Sequence, residues 1–223
     1  MGKKQNKQDQ ISELVILFTI LIISFFLWDT YFIYPIKLIV VLLHEISHVF
    51  ASLISGGKII EMNIGFDLGG KCETEGGNTI FIASAGYLGS LLWGLLFFLS
   101  PNNQKTGFWI IISISALILI TSISVSANST FVILALILSS LLVSSAFFLR
   151  IPIITIIVRA FGLISCIYVL FDIKDDLLSH TIVLSDASIL SSLTNIPVTL
   201  IGLSWAFVSI VGIYIAMRFS YKD

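Results

Sequence analysis

The chain has 223 residues, of which 57% are hydrophobic and only 11% charged, with a mean hydropathy of +1.05 and a net charge of -1. A soluble domain carries about 25% charged residues, so these charges cannot cover a water-facing surface, and the composition implies a protein whose solvent is largely lipid. No cluster of Lys and Arg offers a basic face, which excludes nucleic acid as a partner. Cys72 and Cys166, the two cysteines, form no CxxC pair and suggest neither a disulfide framework nor a thiolate metal site.

In chain order, a polar tail over residues 1–10 precedes the apolar run that opens at Leu14. That run is too long for a signal-peptide core and lacks a small-residue cleavage site at its end, so it reads as a retained first span. A bilayer core about 30 Å thick needs roughly 20 apolar residues per helix. On that rule the sequence predicts an all-α bundle of about seven spans: Leu14 to Tyr34, Ile36 to Ser55, Thr79 to Leu99, Gly107 to Ala127, Thr130 to Leu149, Ile151 to Phe171 and Ile196 to Met217. Asp29 falls near the end of the first. Pro152 stands at the start of the sixth, where its missing N–H costs little. Lys3, Lys4 and Lys7 favour a cytoplasmic N-terminus. No repeat or linker divides the chain, so 1–223 is expected to be a single integral membrane domain.

Two polar stretches interrupt the apolar pattern. In the first, 56–78, Ile60, Met62, Ile64, Phe66 and Leu68 alternate with Glu61, Asn63, Gly65 and Asp67. Period two is the signature of a half-buried strand. Gly69-Gly70 supplies a turn and Lys71 to Glu75 a returning strand, which together predict a small β-hairpin. The second, 172–195, holds Asp172, Asp175, Asp176, His180 and Asp186, with Val183, Leu184, Ala187, Leu190 and Leu193 spaced for a short interfacial helix.

The chemistry lies in His44-Glu45-Ile46-Ser47-His48, inside the second span. On a helix, residues four apart stand on one face, so both imidazoles can reach one Zn²⁺. The glutamate beside the first histidine is placed to take a proton from water and return it to a leaving amine. With three His and few Glu in the chain, random placement yields HExxH roughly once in a thousand. An ionisable residue at the depth of Glu45 costs about 2.5–3.5 kcal/mol to insert, so it implies a partner or a function. The metzincin continuation with a third histidine is absent from HEISHVFASLIS.

The segments HEISHVFASLISGGKIIEMNIGF, IASAGYLGSLLWG, YVLFDIKDDL and LSDASILSSLTNIP resemble the site-2 protease family of intramembrane zinc metallopeptidases, in particular its compact members without a PDZ domain. The resemblance implies a zinc-dependent endopeptidase of a cell membrane, by analogy a bacterial one, that hydrolyses membrane protein or peptide substrates. It implies His44 and His48 as metal ligands and Glu45 as the catalytic base. A third ligand, an aspartate on a later helix, is also implied. There is no LDG sequence; Phe171-Asp172-Ile173 stands nearest to one, and Asp172 abuts a span running parallel to the HExxH helix. Asp172 is therefore the expected ligand, with Asp175, Asp176, His180 and Asp186 as alternatives. No substrate-binding residue is assigned, although the hairpin could take up extended substrate through an edge position such as Asn63. Arg159, within the sixth span, has no partner that the sequence names. The small residues Ala85, Gly86, Gly89, Ser90 and Gly94 suit close helix packing, against the HExxH helix if the resemblance holds. The competing expectation is a non-proteolytic membrane assembly protein that keeps a structural or vestigial zinc site.

Overall fold

The computed structural model describes residues 7–28, 30–99, 105–178 and 185–221. They form α1 (Lys7–Phe26), α2 (Tyr34–Ile54), β1 (Lys58–Ile64), β2 (Gly70–Glu75), α3 (Thr79–Leu99), α4 (Thr106–Ser124), α5 (Ser129–Phe148), α6 (Ile151–Leu178), α7 (Asp186–Thr194) and α8 (Val198–Ser220). Five of these helices, α2, α3, α4, α5 and α8, are long and apolar enough to cross a membrane. The apolar stretches of α1 and α6, Gln10–Phe26 and Pro152–Tyr168, are shorter. The expected first and sixth spans thus fall on helices that do not reach this length of apolar sequence. Asp29 lies outside the described residues.

Enclosure grades across the bundle. Some 72% of the apolar stretch of α2 is buried, against 28% for α8, so α2 is an interior helix while α8 lies at the periphery with most of its apolar surface exposed. The small-residue face of α3 makes this possible, for α3 packs on α2, α6, α7 and α8. At the α3–α6 crossing the backbones nearly touch: a Cβ on Gly94 would lie 2.7 Å from the Gly162 carbonyl oxygen. Ser165 Oγ donates to the Ser90 carbonyl at 2.9 Å beside that crossing. Such close approach is how helices associate where no hydrophobic effect drives them together. Arg159 of α6 finds its partner in Glu13, near the start of α1, and also donates to the Tyr221 hydroxyl at 3.3 Å. This buried pair ties α1 to α6 and to the end of α8.

The hairpin forms as expected, and antiparallel pairing sets Met62 opposite Cys72 and Asn63 opposite Lys71. The alternation of apolar residues continues beyond the strand. β1 stops at Ile64, and residues 65–69 turn instead, with Leu68 in the left-handed region (φ 66°) and Gly65 N–H donating to the Gly69 carbonyl. A bulge between Ile59 and Glu61 turns Ile60 outward, while Met62 and Ile64 are wholly buried in the main core. The far edge of β1 is not free. Met62 N–H donates to the Ser126 carbonyl at 2.9 Å, and Asn128 N–H donates to Asn63 Oδ1 at 3.1 Å. The loop between α4 and α5 therefore acts as a third, single-bridge strand.

Candidate metal centre

His44 and His48 stand one turn apart on the buried face of α2, as the i, i+4 spacing requires. Their ring centroids are 4.9 Å apart. His48 Nδ1 lies 2.8 Å from the Ile82 carbonyl oxygen of α3. A carbonyl can only accept, so Nδ1 carries a proton, and in the neutral tautomer it is Nε2 that presents a lone pair. This is the backbone support that metal-ligating histidines commonly have.

The carboxylate that meets them is Asp186. Its Oδ2 is 3.2 Å from Nε2 of His44 and 3.2 Å from Nε2 of His48. The three ligand atoms all lie within 4.8 Å of one another. Local sequence explains the placement. Ser185 caps α7 by accepting from Ser188 N–H, and Ser188 Oγ accepts from Ser185 N–H in return, which fixes Asp186 as the first helical residue. A carboxylate there is favoured by the helix dipole. Ala187 and Leu190 bury the other face of α7 against Ala83 and Tyr87 of α3 and Ile201 and Trp205 of α8. At the far end Asn195 takes the left-handed conformation (φ 57°) that ends the helix, and Pro197 leads into α8.

The donor set fits a cation. Asp186 Oδ2 is buried and makes no hydrogen bond of acceptable geometry, despite its closeness to both rings. An acceptor oxygen facing the lone pair of a neutral imidazole is repelled unless a positive centre lies between them. The α3 backbone forms the floor of the site at Gly86, where a Cβ would overlap both His44 Nε2 and Asp186 Oδ2. Among the described residues, the two imidazole nitrogens and one carboxylate oxygen that converge are ligand types found at catalytic zinc sites.

Glu45 lies on the same buried face of α2, within electrostatic reach of His44, His48 and Asp186, and is only 6% exposed. β2 closes over it: a Cβ on Gly70 would come within 2.9 Å of Glu45 Cγ and Cδ, so only glycine lets the strand run this close. Cys72 on the same strand is half-buried, and burial followed by the charges of Glu45 and Asp186 pushes its thiol up to about 12. It is thus a neutral thiol and stands outside the cluster of ligand atoms.

Of the residues singled out from sequence, the structure brings together His44, Glu45, His48 and Asp186. The backbone of Asp172, Asp175 and Asp176 belongs to α6, but their side chains lie outside the described residues, as does His180. Asp186 stood among the alternatives; Ser185 ahead of it, which the structure shows to be the helix cap, is a signal the sequence reading did not use, beside the apolar Ala187 and Leu190 behind it. Ring contacts to His44 from Tyr87, and to Tyr87 from Trp205, had no signal in the motif itself.

No curated protein and no solved structure matches the chain. A family model described as Peptidase M50B-like matches residues 17–216. The matched segment takes in the HExxH helix, the hairpin, the small-residue helix α3 and the aspartate-bearing α7, so that the chain belongs to this family, of site-2-protease type, and is an integral membrane protein of a metallopeptidase family.

Proposed function

We propose that the protein is a zinc-dependent intramembrane endopeptidase that hydrolyses peptide bonds of membrane protein substrates. The observation that carries the reading is the convergence of His44 Nε2, His48 Nε2 and Asp186 Oδ2, the last a buried oxygen without a hydrogen bond. These three residues hold the Zn²⁺, Asp186 taking the place expected for Asp172. When bound, the ion supplies Lewis-acid polarisation of the scissile carbonyl. Glu45 takes a proton from the attacking water as the new C–O bond forms, and returns a proton to the amine as the C–N bond breaks. Among the described residues three protein donors converge, the number that leaves open the position hydrolysis needs.

Substrate must be extended at the cleaved bond, because a helical peptide bond is shielded by its own hydrogen bonds. β2 can take up such a segment. Met62 N–H points at Ser126, away from β2, so Met62 and Cys72 form a non-hydrogen-bonded pair. The Cys72 N–H and C=O therefore point outward from the hairpin, along the edge that passes Glu45. Asn63, considered from sequence for this role, is instead engaged with Asn128. An added strand on β2 would present its backbone to the base. The same reading takes 1–223 as one catalytic domain in which α1–α6 and α8 all span, with the N-terminus cytoplasmic.

The test is metal content and cleavage by purified protein. Glu45→Gln is expected to keep zinc and lose turnover. Asp186→Ala is expected to weaken zinc by at least about 10–100-fold, and Asp172→Ala to leave it unchanged. Full turnover in Glu45→Gln would refute the mechanism. Zinc retained by Asp186→Ala but lost from Asp172→Ala would return the third ligand to α6.

A further inference from the structure

Resting on that metal-site reading, we infer that Tyr87 and Trp205 are positioning residues for the His44 ligand, so that α8 sets the metal affinity of a site to which it contributes no ligand. Four rings from three helices stand in file. The His48 and His44 rings of α2 meet at 4.9 Å and 72°. His44 meets the ring of Tyr87, on α3, at 5.6 Å and 78°. Tyr87 is stacked on Trp205 of α8 at 4.2 Å and 26°. Tyr87 and Trp205 are 2% and 7% exposed, so neither ring has room to swing.

The arrangement gives each ligand its own support. His48 is aimed by its bond to the Ile82 carbonyl. Asp186 is aimed by the cap of α7, whose Ala187 and Leu190 pack in the same cluster as Tyr87 and Trp205. The rings of His44 and Tyr87 meet in a T-shaped contact, and edge-to-face packing restricts ring rotation through shape as well as quadrupole. Tyr87 cannot yield unless Trp205 does. A single wedge of α3 and α8 side chains thus braces two of three ligands, and a rotation of the peripheral α8 would be felt at His44.

Co²⁺ binding tests this, because Co²⁺ reports both affinity and, through its visible absorption bands, ligand geometry. Tyr87→Phe and Trp205→Phe keep the rings and are expected to retain wild-type affinity and spectrum. Tyr87→Leu and Trp205→Leu are expected to weaken Co²⁺ by about tenfold or more and to alter the bands. The double variant should lose less than the sum of the two, since both act through one contact. Phe108→Leu, which removes an edge-to-face contact with Phe147 between α4 and α5, controls for loosened packing and should leave the spectrum alone. Wild-type affinity and spectrum in both leucine variants would overturn the inference, as would a Tyr87→Phe loss equal to that of leucine, which would give the role to the hydroxyl. Should Tyr87→Leu not fold, Trp205→Leu decides alone. A wild-type protein that binds no Co²⁺ would instead overturn the metal site itself, and this inference with it.

Discussion

The sharpest consequence of the geometry concerns a residue with no side chain. Gly86 lies under the candidate metal site, and a Cβ there would overlap His44 Nε2 and Asp186 Oδ2 together. A methyl group needs about 3.5 Å from a neighbouring heavy atom. In Gly86→Ala each ligand atom would have to retreat by roughly 1 Å along different directions, one on α2 and one on α7. Metal–ligand distances tolerate only about ±0.2 Å. The expected result is a loss of metal affinity of about 100-fold and, at saturating metal, a fall in cleavage of about the same size. The fold should not suffer from the helix itself, because alanine is favoured over glycine in a helix interior by about 0.5–1 kcal/mol. Thermal unfolding without metal would check this, and competition between the protein and a chromophoric chelator would give the affinity. A variant that binds zinc as tightly as the wild type would refute the argument. It would mean that His44 and Asp186 do not converge over this glycine, and that the third ligand comes from elsewhere.

Two further outcomes follow from the hairpin and from the buried ion pair. Cys72→Pro removes a backbone donor from the outward edge of β2 and should slow cleavage while leaving metal bound, whereas Cys72→Ala should cleave normally; equal rates for all three proteins would reduce the hairpin to a connector. Replacing Glu13 alone by Leu removes the carboxylate that faces the buried guanidinium of Arg159 and should cost about 3–5 kcal/mol in detergent unfolding, while Glu13→Leu with Arg159→Met should recover most of that loss. A double variant as unstable as the single one would show that the pair does more than satisfy itself.

The parts of this molecule that sequence made legible are those governed by short-range pattern. Apolar length placed α2, α3, α4, α5 and α8 within a few residues of their bounds. Period two placed the hairpin, and the HExxH spacing placed two imidazoles on one buried face. The hairpin's far end was misread because alternation continues through Phe66 and Leu68 while the backbone has already turned; Asp67, whose carboxylate accepts from Gly69 N–H at 3.1 Å, is the residue that closes that turn. Long-range pairings left no comparable trace. Glu13 and Arg159 are 146 residues apart. Glu13 sits just ahead of its apolar run, so nothing local marks it as a buried partner. Asp186, the carboxylate that meets the two histidines among the described residues, posed the same difficulty. Asp172 adjoins a span in sequence, while Asp186 lies beyond a further polar stretch. What brings Asp186 back to α2 is the packing of Ala187 and Leu190 under α3 and α8, a three-helix contact that no window along the chain contains.

The small residues of α3 show how two needs are met by one helix. Read as pairs, Ala85/Gly89 and Ser90/Gly94 suggest a single packing stripe, and helix association would explain all of them. In space they divide. Gly86 and Gly89 face α2, the first over the ligand atoms and the second over Ser47, whose hydroxyl also accepts from Trp93 Nε1–H at 3.1 Å. Ser90 and Gly94 face α6, against Ser165, Gly162 and Cys166. Adding a methyl group at Gly94 would push two backbones apart and cost stability, whereas adding one at Gly86 would push two ligands apart and cost metal. Their positions are two turns apart on one helix, so the same kind of residue separates the fold from the chemistry. Glu45, His44, His48 and Asp186 can meet this deep because α3 lets α2 and α7 approach until the imidazole nitrogens and the carboxylate oxygen lie within 4.8 Å of one another, and because α6, drawn close by Gly94 and Gly162, keeps α3 from retreating.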